Sequence, residues 1–294
     1  MRDESRGSRV TLYQEARAAL RDPAFHAKKR LGQNFLVEAG VLDAIVRLSD
    51  LSPTDEILEI GPGLGFLTRR LVERVRRVWA VEIDRFLIEK LRAGDLGSHA
   101  ALELIHGDIL KLPLASILPA HNIKVVANLP YSISTPVLFR LFELRDRFSF
   151  LVLMVQREVA ERMASAPGTK SYGSLSVWCQ VHGRIAGKIA VAPEAFFPRP
   201  KVRSTVLKIE LHPEPLVTAE ENPVLQGLVR SAFGRRRKTL ENNLATWLKT
   251  GREDVDRLLR PEAIDPKRRG ETLSLDEFIR LARAIKESGL TAES

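Results

Sequence analysis

Asn128-Leu129-Pro130-Tyr131 combines residue types suited to one difficult reaction, alkylation of an exocyclic amino group on a planar base. The stretch follows an apolar run, Ile123 to Ala127, that reads as a buried strand. An exocyclic amine is a poor nucleophile because its lone pair is delocalised into the ring. It needs no strong base. It needs acceptors that hold its N–H bonds and bring the lone pair out of the ring plane, aimed at an electrophile. The Asn128 side-chain oxygen and a backbone carbonyl, that of Leu129, are candidates. Pro130 would stiffen the turn, and the Tyr131 ring offers a face for stacking. The same residues also fit a plain strand end with an Asn turn and a core Tyr, so the rest of the chain must decide.

A second turn, Glu59-Ile60-Gly61-Pro62-Gly63-Leu64-Gly65, lies between a predicted strand and a predicted helix. Glycines there let the backbone approach a ligand. A dinucleotide fingerprint places its third glycine three residues after the second. That position here is Phe66, and Gly65 follows Gly63 by only two. A diphosphate cradle is therefore imperfect, which argues against a nicotinamide oxidoreductase. The tight bend suits a ligand without a diphosphate, such as S-adenosylmethionine. Glu82 ends the next predicted strand, 21 residues after Gly61, where a carboxylate can accept both ribose hydroxyls. Asp108, in His106-Gly107-Asp108-Ile109, follows a third strand and is placed to accept from an adenine amino group. Either acid alone reads as a turn or surface residue. Two at consecutive strand ends beside a glycine turn read as a ligand site. No His or Cys pair has metal-ligand spacing, so no metal is expected.

These residues require a sheet that gathers strand ends. Strands are predicted over 56–60, 78–83, 102–106, 124–127 and 150–155, with helical periods after Gly65, over 86–91 and over 159–164. Thr135-Pro136 has the form of an N-cap followed by a Pro at the first helical position. Two late strands, 187–191 and 205–211, have no long helix between them and suggest a closing hairpin. The pattern is that of a mainly parallel, doubly wound α/β sheet. His212-Pro213-Glu214-Pro215 reads as a linker. Helices follow at about 222–233, 238–249, 253–260 and 274–288, the last opened by a capping box, Ser274-Leu275-Asp276-Glu277. The predicted division is a polar extension over 1–24 with a short helix at 11–20, a main domain over 25–211 and a helical domain over 216–294.

The chain has 294 residues, 44% hydrophobic and 28% charged, enough for a large packed domain plus a smaller one. It carries 46 Lys and Arg against 37 Asp and Glu, a net charge of +9. That balance favours an anionic partner such as nucleic acid. The single cysteine, Cys179, lies in an apolar stretch and reads as a core residue. One cysteine excludes an intrachain disulfide and argues for a reducing, cytoplasmic setting. No stretch approaches the length of a membrane span, and Met1–Arg9 lacks the apolar core of a secretory signal.

Taken in order, the motifs resemble those of the ribosomal RNA adenine-N6 dimethyltransferases, on the small-subunit branch rather than that of the large-subunit resistance methylases. The matching stretches are Leu31-Gly32-Gln33-Asn34-Phe35-Leu36, Glu59–Gly65, Glu82-Ile83-Asp84, Gly107-Asp108, Asn128–Tyr131 with Ser134-Thr135-Pro136, Phe196–Val202, and Phe233–Leu244. Ala127 and Ser132 depart from the family pattern, without removing a proposed acceptor. The resemblance implies a class I, Rossmann-like methyltransferase that dimethylates two adjacent adenosines of small-subunit ribosomal RNA in immature subunits, acting as a monomer. It implies that Asn34 and Leu36 close over the methionine end of S-adenosylmethionine. Gly61 and Gly63 would line the cofactor turn, with Glu82 at the ribose and Asp108 at the adenine. Asn128 would touch both cofactor and target amine, and Phe196 would stack on the target adenine opposite Tyr131. An assembly or transcription factor on the same scaffold is the non-catalytic rival. The intact Asn128–Tyr131 stretch argues against it. Three basic clusters, Lys28–Arg30, Arg235–Lys238 and Lys267–Arg269, are candidates for phosphate contacts to a folded RNA. The target base would be exposed or flipped.

Overall fold

The computed structural model describes residues 10–22, 33–235 and 237–290. Leu31, Gly32, the Lys28–Arg30 cluster and Arg236 lie outside the described residues. The chain divides into two compact units. One comprises residues up to Arg157 together with Ile185–Leu211, and the other Glu158–Arg184 together with the chain from His212 onward.

The first unit opens with α1 (Leu12–Arg21), capped by Thr11 in a capping box with Gln14. It continues through β1 (Phe35–Leu36), α2 (Ala39–Leu48), β2 (Glu56–Ile60), α3 (Thr68–Val72), β3 (Arg77–Glu82), α4 (Arg85–Ala93) and β4 (Leu102–His106). Then come α5 (Leu114–Ile117), β5 (Ile123–Asn128), α6 (Ser134–Glu143) and β6 (Phe148–Gln156). The second unit begins with α7 (Arg157–Met163) and α8 (Ser174–His182). The first is completed by β7 (Gly183–Val191), β8 (Phe196–Phe197) and β9 (Ser204–Leu211).

Seven strands form one sheet in the order β4-β3-β2-β5-β6-β9-β7. Pairings from β4 through β6 are parallel, with Ile60 opposite Val81 and Ala127 opposite Leu153. β9 runs antiparallel to β6 and lies beside β7, where a closing hairpin is predicted. Winding reverses between β2 and β5. Open α/β sheets bind ligands in the crevice at such a reversal, outside the carboxyl ends of the strands. The strands beside it are buried on both faces, which is why Val125, Val126 and Ala127 of β5 run consecutively apolar and Ile57, Leu58 and Ile60 of β2 are interrupted only by Glu59. β1 and β8 form a separate antiparallel pair, Leu36 opposite Phe196.

Some sequence-based boundaries move. The lead-in is more than polar, since Ala16 and Ala19 are buried in the first unit's core and Leu12 and Leu20 pack against it. The helix after the glycine turn starts only at Thr68, because Gly61, Gly63 and Gly65 all have positive φ and carry the bend further. α6 begins at Ser134, not at a Thr135 cap, and follows a single 3-10 turn over Tyr131–Ile133. Pro136 still fits, since the first turn of a helix has no intrahelical use for its N–H groups. The sequence reading places no helix over 39–48 or 174–182, although Leu42, Ile45 and Val46 bury one face of the former.

In the second unit, α9 (Glu221–Gly234), α10 (Leu240–Leu248), α11 (Arg252–Leu259) and α12 (Leu275–Ser288) follow the predicted helices closely. The Ser274–Glu277 capping box is formed. This unit is larger than a helical domain over 216–294, because residues 158–184 belong to it. Tyr172 donates a hydrogen bond to the Leu273 carbonyl at 2.9 Å, and its ring meets Phe233 edge-on at 5.8 Å. Apolar spacing marks a buried helix face without saying which neighbour buries it. His212 is tied rather than a free linker residue, since its amide donates to the His182 carbonyl at 2.9 Å. Cys179 is buried on α8, and burial pushes its thiol well above the ordinary range.

Candidate active site

A cavity of about 380 Å³ opens at the carboxyl ends of β2, β3, β4 and β5. Its wall includes Gln33 to Leu36, Glu59 to Leu64, Glu82, Asp108, and Asn128 to Ile133. The structure thus gathers Asn34, Leu36, Gly61, Gly63, Glu82, Asp108, Asn128, Leu129, Pro130 and Tyr131 around one space.

The glycine turn forms one wall. The Gly61 amide donates to the Val81 carbonyl at 2.9 Å, fixing where the chain leaves β2. At Gly63, φ is 60°, and a Cβ would sit 3.1 Å from the Phe35 ring. At Gly65, φ is 80°, and a Cβ would come within 2.6 Å of Leu96 and 2.8 Å of Leu91. A side chain at Gly65 is therefore excluded by both backbone and packing.

Glu82 is almost wholly buried at the end of β3. Its Oε2 accepts from the Gly63 amide at 3.2 Å and its Oε1 from the Asp84 amide at 2.9 Å. Burial raises its pKa, and the two amides act in the opposite direction. Two carboxylate oxygens offer about four acceptor sites, so capacity remains for hydroxyl donors. Asp108 uses Oδ1 to accept from the Leu110 amide at 3.0 Å, which holds the turn after β4.

Asn128 ends β5, and its Nδ2 donates to the Asn34 carbonyl at 3.5 Å. Leu129 is buried, and its amide donates to the Met154 carbonyl at 3.1 Å. Tyr131 is half-buried; its hydroxyl and the buried Ser204 hydroxyl are 2.6 Å apart. Burial pushes the phenol pKa up. This contact fixes the ring from β9, and the sequence alone gave no sign of it.

Phe196 is the exception among the predicted site residues. It is 3% exposed, packs in the core and does not reach the cavity wall. A ring free to stack opposite Tyr131 is not what the structure presents. Pairing with Leu36 draws Phe196 inward, while Phe197 is half-buried and meets Tyr13 edge-on at 4.9 Å.

Sequence reasoning assigned no role to Gln33 or Glu59, yet both line the cavity. Gln33 Nε2 donates to Asp84 Oδ2 at 3.0 Å. Glu59 is 1% exposed, and burial lifts its carboxyl pKa to about 8. Its Oε2 and the Thr68 hydroxyl lack hydrogen bonds of good geometry. The hydroxyl lies close enough to favour the charged form in part, but burial prevails. The signal in the sequence was an acid inside an otherwise apolar central strand.

Buried acceptors lining an apolar cavity, a bend that is tight at Gly63 and closed to a side chain at Gly65, and carboxylates at two strand ends fit S-adenosylmethionine. Fold and site together define a class I methyltransferase that uses this cofactor. The ribosomal RNA adenine dimethylase family matches residues 24–285, and the chain belongs to that family. It is therefore an enzyme of the ribosomal RNA adenine dimethyltransferase class.

The chain is 45% identical over 274 residues to ribosomal RNA small subunit methyltransferase A of Geobacter metallireducens, covering 92% of this chain and 99% of that relative. It is 46% identical over 259 residues to the protein of the same name from Syntrophotalea carbinolica, covering 88% and 97%. Among solved structures, a dimethyladenosine transferase from Plasmodium falciparum matches with a TM-score of 0.74 at 27% identity, covering 86% of this chain and 97% of that one. A 23S ribosomal RNA methyltransferase matches at 0.67 and 23% identity, a likeness of fold.

Proposed function

We propose that the protein transfers methyl groups from S-adenosylmethionine to N6 of two adjacent adenosines in small-subunit ribosomal RNA. The observation that carries this reading is the Asn128–Tyr131 turn facing the glycine turn across one cavity. The bound cofactor would supply an electrophilic sulfonium methyl. The chain's own residues do the rest. With Nδ2 turned to Asn34, Asn128 presents Oδ1 as an acceptor for one N–H of the target amine. The Leu129 carbonyl takes the second. Pro130 fixes the spacing of these acceptors, and Tyr131, held by Ser204, presents its ring to the base. Positive charge disappears as the methyl moves, so alignment and exclusion of water matter more than proton transfer.

Glu82 and Asp108 hold the ribose and adenine, and Asn34 and Leu36 cover the methionine end. In this reading Phe196 supports Leu36 through the β1–β8 pair; stacking on the base would require its ring to leave the core. Arg235, Arg237 and Lys238 are exposed on the second unit, at the turn between α9 and α10, and are assigned to RNA phosphates. Arg268 is not free for that role, because it pairs with Glu277 at 2.5 and 3.0 Å. The enzyme acts as a monomer in the cytoplasm. Among the described residues no helix is long and apolar enough to cross a membrane. The test is methylation of immature small subunits with labelled cofactor, followed by nucleoside analysis. Dimethyladenosine at adjacent positions is expected. Label confined to large-subunit RNA would overturn the assignment.

A further inference from the structure

A second cavity, an open cleft of about 660 Å³, lies within the second unit and is lined by α9, α10 and the end of α12. Its size is that of a small-ligand site. One face of α9 forms a wall, because Val224, Gly227, Arg230 and Gly234 recur at helical spacing. Half-buried Trp247 of α10 forms another. A Cβ at Gly227 would lie 2.2 Å from Trp247 Cζ2 and 3.1 Å from its Nε1, so the indole rests directly on the α9 backbone. Glycine is poorly suited to a helix interior, and its place here is explained by the ring it admits. A large aromatic is thus held on the wall of an open cleft.

Charge decides the occupant. Arg230 and Arg235 line the cleft, and no acid does. Neither guanidinium has an acid partner among the described residues. Elsewhere in this unit cations are neutralised: Arg257 by Asp254, Arg260 by Asp256, Arg280 by Glu262, Arg283 by Glu221 and Lys286 by Glu220. Hydroxyls of the wall are already used, Ser231 donating to the Asn243 carbonyl and Thr246 to that of Asn242, both at 2.9 Å. An aromatic ring and two unpaired guanidiniums in one cleft match a nucleotide, the ring taking the base and the cations the phosphate.

We propose that this cleft receives an unpaired nucleotide of the ribosomal RNA, its base against the Trp247 ring and its phosphate on Arg230 and Arg235. The inference deepens the RNA reading of the proposed function and rests on it. Cations alone would hold any stretch of phosphate backbone. The ring adds a requirement, because a base inside a duplex has no free face to offer; loops and bulges of a folded RNA do. Stacking tolerates any base, so the cleft selects an exposed nucleotide rather than a sequence. The cofactor cavity lies on the first unit, so this nucleotide is not the adenosine that is methylated.

The test is binding of the full-length protein to immature small subunits across a salt series, with circular dichroism to check folding. Wild type is compared with Trp247→Leu, Trp247→Phe and Arg230→Gln. A base on a neutral ring releases no counterions, whereas a phosphate on a cation does. Trp247→Leu is expected to lose about fivefold to a hundredfold in affinity with its log–log salt slope unchanged. Trp247→Phe, which keeps a ring, should recover most of that loss. Arg230→Gln should lower the slope by about 0.7–0.9. Ultraviolet irradiation of the wild-type complex should leave an RNA adduct on the peptide carrying Trp247, read by mass spectrometry. Wild-type affinity in a folded Trp247→Leu, an equal loss in Trp247→Phe, or no adduct at Trp247 would each overturn the proposal, the first leaving the cleft to a protein partner. Should Trp247→Leu fail to fold, the adduct decides. Failure of the wild-type protein to bind the subunits would remove the RNA reading itself, a distinct result that takes the proposal with it.

Discussion

Asn128 Nδ2 lies 3.5 Å from the Asn34 carbonyl oxygen, joining the end of β5 to the segment just before β1. The contact spans 94 residues of sequence and sets which way the Asn128 amide faces. With its nitrogen spent on Asn34, its oxygen is the atom left for a donor. The same contact couples the proposed acceptor of the target amine to the segment proposed to cover the methionine end of the cofactor.

Asn128→Ala is therefore expected to abolish methyl transfer while leaving the fold intact, because the side chain is only half-buried. Cofactor affinity should fall as well, if less steeply, through loss of the tie to Asn34. Single-turnover methylation and circular dichroism on the same preparation check this. A folded variant with near wild-type turnover would remove Asn128 from the mechanism.

Glu82→Ala should weaken S-adenosylmethionine binding. A hydrogen bond to a charged group contributes about 1.5–3 kcal/mol, which corresponds to roughly tenfold to hundredfold in affinity. The substitution also releases the amides of Gly63 and Asp84, so the glycine turn should loosen. An unchanged dissociation constant by calorimetry would place the ribose elsewhere.

Phe196 separates two roles that its motif alone cannot. Removing a fully buried ring by Phe196→Ala should cost about 3–5 kcal/mol of stability. Phe196→Leu keeps most of the buried volume and should remain folded with substantial activity if the ring is a core element. A stable Phe196→Leu enzyme without turnover would instead restore the stacking role.

Much of this site was legible because its parts sit at strand ends, where strand periodicity locates them to within a residue or two. Glu82 and Asn128 each close a mostly apolar run, Asp108 follows the end of β4 by two residues, and the doubly wound order brings such ends together. The burial of Phe196 was not legible, for the converse reason. It belongs to a two-residue strand paired with Leu36, 160 positions away, and no local pattern reports that pairing. The Tyr131–Ser204 contact is equally non-local. Glu59 was visible as an acid in a buried strand, but only the packed structure shows that its surroundings include Thr68 and Glu82. Within residues 158–184 only the helix at 159–164 follows from the pattern, and the placement of the whole stretch in the second unit depends on contacts such as Tyr172 with Phe233.

The exposed cations at the α9–α10 turn predict the salt dependence of RNA binding. Asn243 is buried and donates to the carbonyls of Ala232 and Arg235, both at 3.4 Å, which anchors the end of α9 and Arg235 against α10. Replacing Arg235, Arg236, Arg237 and Lys238 by Ala should weaken RNA binding. Each lost phosphate contact should reduce the log–log salt slope by about 0.7–0.9, a range set by nucleic acids simpler than folded RNA. Cofactor binding should be unaffected, since the cavity lies on the first unit. Identical slopes would show these side chains to be a solvated face and direct attention to Lys28–Arg30.

Glu59 also predicts how the cofactor-free protein responds to pH. Its folded pKa, about 8, lies above the ordinary 4.5. Between those values the unfolded chain is ionised while the folded chain holds a proton. Stability is thus fully present below about pH 4.5, falls as pH rises toward 8, and is flat beyond. The loss amounts to at most about 1.4 kcal/mol per pH unit. Glu82 is shifted in the same direction and adds to the slope. Glu277, whose pKa is lowered by its pairing with Arg268, acts oppositely, and its contribution is lost only under more acidic conditions. Urea unfolding of the cofactor-free protein at several pH values from 5 to 9 should show the decline, and Glu59→Gln should reduce it. An equal slope in the variant would mean that Glu59 is ionised in the folded protein at neutral pH.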